Sequence, residues 1–443
     1  MKRFLTALVV LAAVLALTFV PVVAGDTAAQ IENYQLDNGL KVVLRQSLEQ
    51  DIVTIAISFK CGQDLEVNPE DYGLNYWTAL LMMLGTNRRP SPEAVARPVE
   101  ETGGIFSFIP MASTTLFFAK VNAQNFFTAI DTISDVVRNP MIHEAWVANL
   151  QEYGSYIDYL DSGDRSLAFA KLREGIFGEH PYAHAIEGSS KAISTNNQFK
   201  YRKHHQTYYI PNNATLFISG NFDTEVAKKY VVQCFDSWKS GPEPPRPWAV
   251  ETASGAVDFI KRGTGKQAHI YYGFRVPGIA HQDGPALAVL SSIWGESGLG
   301  SRMFQELRSK QGLAYECYSS YEWMDYANPS MLYAYIGTAP EKIKTAQEGL
   351  RAQAEQFKRE PISEDELVTG KAAVINGLYR TLQENTTQVA YMAFFESVGL
   401  GYDGFDKFAA AVRTVTIEDV QRVAQKYFVD PVMTTVTPEM PES

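Results

Sequence analysis

The sequence predicts an α+β protein with two homologous domains, each a mostly antiparallel sheet covered by helices, that face one another. Three observations predict this arrangement. The 443 residues exceed what one ordinary hydrophobic core accommodates. The order strand, helix, proline stop, second helix occurs twice, beginning at Thr115 and at Met331, which indicates duplicated units. Between the two copies, the proline-rich stretch from Gly241 to Pro247 suits neither a helix nor a central strand and predicts a linker.

These signals give the predicted boundaries of the domains. The predicted segments are a signal peptide over 1–24, a first domain over 25–239, a linker over 240–252, a second domain over 253–437 and a tail over 438–443.

The first domain opens with alternating apolar and polar residues, which predict strands joined by a turn at Asp37-Asn38-Gly39. A buried helix follows over 73–86, because its apolar residues recur at helical spacing. A second helix, capped by Ser91, is predicted to run through Glu101. The strands predicted in this domain are 34–36, 41–45, 53–61, 105–110, 115–121 and 214–219, and the further helices are 124–137, 143 to about 160, 165–177, 198–208 and 224–238.

The second domain repeats this plan. Met331 to Ile336 predicts a strand, Pro340 to Lys358 a helix, and Ser363 begins another helix after Pro361. Ahead of these elements, 301–309 is predicted as a helix and 313–321 as a strand.

Composition and charge narrow the function. With 46% hydrophobic and 20% charged residues the composition is that of a globular protein, and the formal charge of −11 disfavours nucleic acid as a partner. Lys2 and Arg3 precede an apolar run from Phe4 to Val20, and Val22-Val23-Ala24 offers a small residue for cleavage before Gly25. This pattern predicts export to the periplasm or the extracellular space and no membrane anchor after cleavage. A retained anchor is the alternative. The three cysteines have no metal-type spacing and are predicted to be small buried hydrophobes, although one disulfide stays open.

Several motifs, in order along nearly the whole mature chain, resemble the insulinase/pitrilysin metallopeptidases. They are YQLDNGLKVVL at 34–44, Gly73-Leu74 with Gly85-Thr86, His180-Pro181-Tyr182, YIPNNATLFISGNFD at 209–223 and SRMFQELRSKQGLAYECYSSY at 301–321. The chain is most similar to the short two-domain branch that contains the subunits of mitochondrial processing peptidase and their bacterial relatives. The resemblance implies a clamshell half and peptide hydrolysis with zinc.

The chain departs from this family at the zinc helix. The family has His, Glu and His where this sequence has Tyr76, Ala79 and Leu80. Alanine and leucine offer no lone pair to a metal. The register of the family's third ligand, a glutamate, falls near Ser155 and Tyr156, with Glu152 one turn away. The sequence therefore predicts no metal in this chain and zinc in a partner. A metal pair at His180 and His184 is disfavoured by Pro181 between them.

The resemblance also points to Arg308 and Tyr315, at the positions where the family has an arginine and a tyrosine that reach the substrate. Both side chains donate hydrogen bonds and suit a peptide carbonyl or a developing oxyanion. On spacing alone, a helix-terminal arginine and an ordinary strand tyrosine would explain them.

Three functions stay open at this point. The first is a zinc-free subunit of a heterodimeric metallopeptidase, which supplies Arg308 and Tyr315 to a homologous chain with an intact zinc helix and acts on unfolded peptides. The second is a non-catalytic scaffold or peptide-binding protein, similar to the core subunits of respiratory complexes. The third is a zinc enzyme with a different ligand set.

Overall fold

The computed structural model describes residues 30–150, 154, 163–246, 257–322 and 329–438. The predicted signal peptide lies outside these residues, as do most of the tail and the candidate third-ligand positions Glu152, Ser155 and Tyr156. Within the described residues, two mixed sheets lie on either side of the linker in the sequence.

The first sheet has six strands in the order β1-β2-β6-β3-β5-β4. Its neighbouring strands are antiparallel except for β2 and β6, which are parallel. The strands are β1 (Gln30–Gln35), β2 (Lys41–Gln46), β3 (Ile52–Phe59), β4 (Ile105–Pro110), β5 (Thr115–Asn122) and β6 (Ala214–Gly220).

The second sheet has five strands in the order β7-β11-β8-β10-β9, and again one neighbouring pair, β7 and β11, is parallel. They are β7 (Val257–Arg262), β8 (Ala268–Pro277), β9 (Ala314–Tyr321), β10 (Pro329–Thr338) and β11 (Val432–Thr437). If β2, β6, β3, β5 and β4 are matched to β7, β11, β8, β10 and β9, then strand order and direction are the same in both sheets. The predicted α+β architecture of two homologous, mostly antiparallel units is confirmed.

Helices cover both sheets. In the first half they are α1 (Leu74–Met83), α2 (Pro92–Glu100), α3 (Phe126–Arg138), α4 (residues 144–150), α5 (Asp164–Phe177), α6 (Ser190–Thr195), α7 (Gln198–Tyr208) and α8 (Thr224–Phe235). In the second half they are α9 (Gly284–Ser291), α10 (Met303–Lys310), α11 (Ile343–Arg359), α12 (Glu364–Thr381), α13 (Asn385–Ser397), α14 (Gly404–Thr414) and α15 (Ile417–Tyr427). The predicted helix from His143 to about Leu160 lies partly outside the described residues.

The two halves exchange one helix each. Helix α5 of the first half packs on β8 and β11 of the second sheet, where Leu172 and Ile176 lie buried among tyrosines. Helix α13 of the second half packs on β3, β5 and β6 of the first sheet, where Val389 and Ala393 are buried. Each sheet therefore has one face covered by helices of its own half and the other face covered by a helix of the opposite half.

Two segments of the second half have the wider π-helical turn in place of the predicted α-helix. One is α10, and the other is Ser292–Glu296, which continues α9. Beside the second segment the backbone approaches β9 so closely that a Cβ on Gly295 would lie 2.2 Å from the backbone nitrogen of Ser319. Apolar periodicity does not distinguish a π-turn from an α-turn over so few residues, so the sequence does not predict this widening.

Two further observations concern the state of the cysteines and the length of the helices. Cys61 and Cys234 are buried and Cys317 is partly buried, and all three are free thiols. Among the described residues, no helix combines the length and the apolar composition that crossing a bilayer requires.

Candidate functional site: the altered zinc helix and the Arg308–Tyr315 pair

The N-terminus of helix α1 is fixed by specific contacts of its first residues. Gly73 has φ +83°, and a Cβ there would lie 2.3 Å from the carbonyl oxygen of Glu187, so the position requires glycine. The buried carboxylate of Glu66 accepts hydrogen bonds from the backbone nitrogens of Gly73 (2.8 Å) and Asn75 (2.9 Å). Burial raises the pKa of Glu66 well above its ordinary value, while these two hydrogen bonds oppose the rise. The first turn of the helix is thus fixed by a side chain from outside it.

Asn75 connects the start of α1 to its surroundings. Its side-chain nitrogen donates to the hydroxyl of Thr115 on β5 (2.7 Å), and its side-chain oxygen lies 3.3 Å from Nε2 of His204 on α7. His204 is buried, and loss of hydration lowers its pKa to about 3, so the imidazole is neutral.

The three altered positions lie in apolar surroundings. Tyr76 is half-buried, with its ring 5.6 Å from that of Phe108 and 5.0 Å from that of Trp77. Leu80 packs at the edge of a buried apolar cluster that links α1 to α4 and α7. Ala79 is fully buried, in the core that α1 forms with the first sheet. Aromatic and hydrocarbon contacts occupy the region of the three positions.

These residues do not fit a zinc ion. A tyrosine ligates a metal as phenolate, and burial raises the pKa of Tyr76 and so disfavours that form. Ala79 and Leu80 have no donor atoms. Among the described residues, no three His, Cys, Asp or Glu side chains are grouped closely enough to hold a metal ion. Nδ1 of His180 instead accepts from the backbone nitrogen of Tyr182 (3.1 Å), and His184 stacks on Tyr72.

Arg308 and Tyr315 lie together in the second half. Arg308 is near the end of α10 and Tyr315 near the start of β9. Gly312, with φ +60°, reverses the chain between them, and the helix is closed by hydrogen bonds from the backbone nitrogen of Gly312 to the oxygen of Arg308 (3.1 Å) and from that of Leu313 to the oxygen of Leu307 (2.9 Å). This turn brings the strand back along the helix.

The guanidinium of Arg308 lies between two rings. Its central carbon is 4.8 Å from the ring centroid of Tyr315 and 4.7 Å from that of Phe304. Within the described part of the chain, Arg308 forms no side-chain hydrogen bond or ion pair, and the phenol of Tyr315 has no hydrogen-bond partner. Tyr315 is 85% exposed. The stack orients the arginine while its N–H groups and the phenol stay available to a ligand.

A bidentate ion pair supports the strand that carries this tyrosine. Arg165 on α5 donates to both carboxylate oxygens of Glu316 (3.0 and 3.1 Å) and to the hydroxyl of Tyr318 (3.1 Å). Its guanidinium carbon lies 4.4 Å from the ring centroid of Tyr335. An exchanged helix of the first half therefore holds β9 next to Tyr315, a contact that the sequence did not predict because the helix exchange is not visible in it.

Comparison with known proteins identifies the family. Residues 41–190 match the family model described as insulinase (peptidase family M16), and residues 200–374 match the model described as peptidase M16 inactive domain. The chain belongs to the insulinase family.

Relatives and solved structures agree with this family. An uncharacterized zinc protease of Bacillus subtilis is 23% identical over 90% of this chain and 96% of its own length, and one of Rickettsia felis is 25% identical over 89% and 94%. A protease from Helicobacter pylori has the same fold with a TM-score of 0.84, 21% identity and coverage of 93% and 100%. The peptidase M16 inactive domain from Pseudomonas fluorescens has a TM-score of 0.83, 19% identity and coverage of 94% and 99%. This chain is thus an insulinase-family protein of the two-domain type, and α1 has Tyr76, Ala79 and Leu80 at the positions where the resemblance places the zinc ligands.

Proposed function

We propose that this chain is the zinc-free subunit of a two-chain metallopeptidase. Its partner is a homologous chain with an intact zinc helix, and the substrates are unfolded peptides. We propose that Arg308 and Tyr315 bind the peptide carbonyl at the partner's metal and the negative oxygen that develops when water attacks it. Zinc belongs to the partner.

The contrast between two helices carries this proposal. On α1, Tyr76 and Leu80 pack in an apolar environment and leave nothing that could hold a metal. On α10, Arg308 is oriented by two rings, and the neighbouring tyrosine is 85% exposed although exposure of so large a ring gains nothing for the stability of this chain. A subunit that contributes groups to another chain's active site needs an oriented arginine and an exposed tyrosine. It needs no metal site of its own.

The apolar run at the N-terminus supports a proposal about location. We propose that the chain is exported, with cleavage after residue 24, and acts in the periplasm or outside the cell.

A mixing experiment tests the proposal. Peptide hydrolysis is measured for this chain alone, for a homologous chain with an intact zinc helix encoded by the same organism, and for the mixture. Activity in the mixture alone supports the proposal. Equal activity of the zinc-bearing chain without this one, or chelator-sensitive hydrolysis by this chain alone, contradicts it.

The altered α1 is equally compatible with a scaffold or peptide-binding protein without any catalytic role. A fungal Complex III assembly contains a chain with this fold (TM-score 0.77, 14% identity), and that likeness concerns the fold alone. The mixing experiment separates the two functions, because a scaffold would bind the second chain without changing its rate.

A further inference from the structure

Strand β9 contains a β-bulge at Tyr315. In the pairing of β9 with β10, Glu316 lies opposite Gly337. The next residue of β10, Thr338, lies opposite Ala314, so Tyr315 is an extra residue without a partner on β10. A bulge of this kind changes the direction in which the side chains of its strand point.

The packing of the neighbouring residues shows the effect of the bulge. In a regular strand, residues an odd number of positions apart point to opposite faces of the sheet. Ala314 and Cys317 are three positions apart, yet both pack against the core that the second sheet forms with its own helices. In a regular strand Tyr315, two positions from Cys317, would also point into that core. The bulge releases its ring, which is 85% exposed and lies beside the guanidinium of Arg308.

A buried hydroxyl holds the start of β9 next to the bulge. Thr338 is 2% exposed, and its hydroxyl donates a hydrogen bond to the backbone oxygen of Leu313 (2.7 Å). The backbone nitrogen of Leu313 donates to the oxygen of Leu307 on α10 (2.9 Å). The start of β9 is thus connected on one side to β10 and on the other to the helix that carries Arg308.

An ammonium group binds the turn one residue earlier. The side chain of Lys342, just before α11, donates to the backbone oxygen of Gly312 (2.9 Å). The backbone nitrogen of Gly312 donates to the oxygen of Arg308 (3.1 Å). A hydrogen bond from a charged donor is stronger than one between neutral groups. The backbone nitrogen and oxygen of both turn residues, Gly312 and Leu313, therefore have partners.

The two side-chain contacts restrict the register of β9. A shift of one residue that removes the bulge would turn Tyr315 toward the core, because side chains alternate between the faces of a strand. Such a shift would have to move the carbonyls of Gly312 and Leu313 away from their donors. Both carbonyls lie in the segment between Arg308 and Tyr315, so the contacts also fix how these two side chains lie relative to each other.

We propose that Thr338 and Lys342 are positioning residues of the Arg308–Tyr315 pair. They hold the bulge at Tyr315 and thereby keep the phenol beside the guanidinium, and they do not themselves contact the substrate. The catalytic consequence rests on the proposed function, whereas the geometric consequence concerns this chain alone.

The geometry is tested by magnetic resonance of this chain without a partner. With isotopically labelled arginine, the Nε–Hε signal of Arg308 is assigned by its absence from the spectrum of Arg308→Lys. The rings of Phe304 and Tyr315, 4.7 and 4.8 Å from the guanidinium carbon, shift this signal away from that of an exposed arginine. We expect Thr338→Val and Lys342→Met to move it toward the exposed position. Thr338→Ser keeps the hydroxyl and is expected to retain the wild-type signal.

Two control variants separate positioning from general stability. Thr114→Val removes another buried hydroxyl, which donates to the oxygen of Phe59 in the first half (2.6 Å). Lys344→Met removes a cation from an exposed position of α11. Both should leave the arginine signal unchanged. Circular dichroism checks the fold, and if Thr338→Val unfolds, then Lys342→Met decides, because Lys342 is partly exposed.

The catalytic consequence is measured in the mixture with the zinc-bearing chain. We expect Thr338→Val to lower kcat about tenfold with KM nearly unchanged, because a small displacement of a catalytic group slows the reaction more than it weakens binding. In an Arg308→Ala background, Thr338→Val is expected to change kcat by less than about twofold, because the group that it positions is missing. A structural role alone would give the same loss in both backgrounds.

Three results would overturn the proposal. They are an Arg308 signal that Thr338→Val and Lys342→Met leave at its wild-type position, an equal displacement of that signal by Thr114→Val, and an equal loss of kcat in the wild-type and Arg308→Ala backgrounds. If the mixture has no activity, the proposed function fails, and the Arg308 signal still decides whether the two residues hold the pair.

Discussion

Helices α1 and α9 occupy the same place in the two halves, yet their surroundings are opposite. Each follows the third strand of the matched set, β3 in the first sheet and β8 in the second. Around α1, the positions that the resemblance assigns to the metal are packed with aromatic and aliphatic side chains. The π-helical end of α9 instead lines a cavity of about 980 Å³ that contains two glutamates. The matched helices of the two halves thus differ in their surroundings: α1 has apolar packing, and the end of α9 lines an open, partly polar space.

The largest expected effect concerns Arg308. We assign this residue to catalysis, whereas α1 supplies no metal site in this proposal. In the mixture with the zinc-bearing chain, Arg308→Ala is expected to lower kcat about 100-fold or more, because it removes a donor to the developing oxyanion. The measurement is steady-state hydrolysis of a peptide at saturating partner.

Lys310→Ala is the matched control, since it removes a cation of the same helix whose ammonium pairs with Glu306. A wild-type rate for Arg308→Ala would show that Arg308 has no catalytic role in the mixture.

The second effect tests whether α1 still tolerates the family's glutamate. Ala79→Glu is expected to lower the free energy of unfolding by about 3 kcal/mol, because Ala79 is fully buried and the new carboxylate would have no partner. Urea denaturation measures this change. Val368→Glu, at a 65% exposed position of α12, is the control and is expected to change stability by less than about 0.5 kcal/mol.

If Ala79→Glu were as stable as the wild type, the packing around α1 would still admit a polar site. The contrast between the two helices would then be one of sequence alone.

The third effect is a pH dependence centred on the contact between α7 and α1. The pKa of His204 is lowered from 6.5 to about 3 by burial, so the unfolded chain takes up a proton at this residue before the folded chain does. The contribution of His204 to stability is therefore complete above pH 6.5 and is lost as the pH falls toward 3. The loss between pH 7 and pH 5 is expected to be about 2 kcal/mol.

Denaturation midpoints at both pH values, for the wild type and for His204→Gln, measure this slope. The variant should lose less stability on acidification than the wild type, whereas His143→Gln, at an exposed position, should follow the wild type. Identical slopes for wild type and His204→Gln would show that the imidazole is not held neutral against Asn75.

The smallest effect concerns the support of Tyr315. Arg165→Lys keeps the charge but loses the bidentate contact with Glu316 and the contact of the guanidinium with the ring of Tyr335. We expect a loss of kcat of about threefold in the mixture, with KM nearly unchanged, because exposed ion pairs contribute under about 1 kcal/mol. Lys171→Arg on the same helix is the control. A loss as large as that of Arg308→Ala would place Arg165 in the site itself.

Local patterns predicted the elements that carry these groups. The apolar spacing from Leu74 to Leu84 predicted α1, and the turn at Gly312 lies between the predicted helix of Arg308 and the predicted strand of Tyr315. The missing ligands are visible in the sequence because they concern residue identity at fixed spacing. The roles of Arg308 and Tyr315 stay predictions.

Features that depend on distant contacts were not predictable. Glu66 binds the start of α1 from seven residues upstream of Gly73, through a loop that has no helical pattern. Glu296 and Glu322 approach one cavity only because β9 returns beside α9. The exchange of α5 and α13 leaves no trace in periodicity, since an amphipathic helix shows that it has an apolar face and not which sheet that face will cover.

The exchanged helices have a consequence for how this protein can be dissected. A fragment that ends in the linker would keep α5 but lose its tyrosine-rich counterpart, and would leave the side of the first sheet under Val389 and Ala393 bare to water. The complementary C-terminal fragment would keep α13 but lose α5 from its own sheet. Neither of the two fragments would be expected to remain soluble by itself. A single proteolytic nick in the linker, by contrast, would leave two polypeptides that stay associated and migrate as one species until a denaturant separates them.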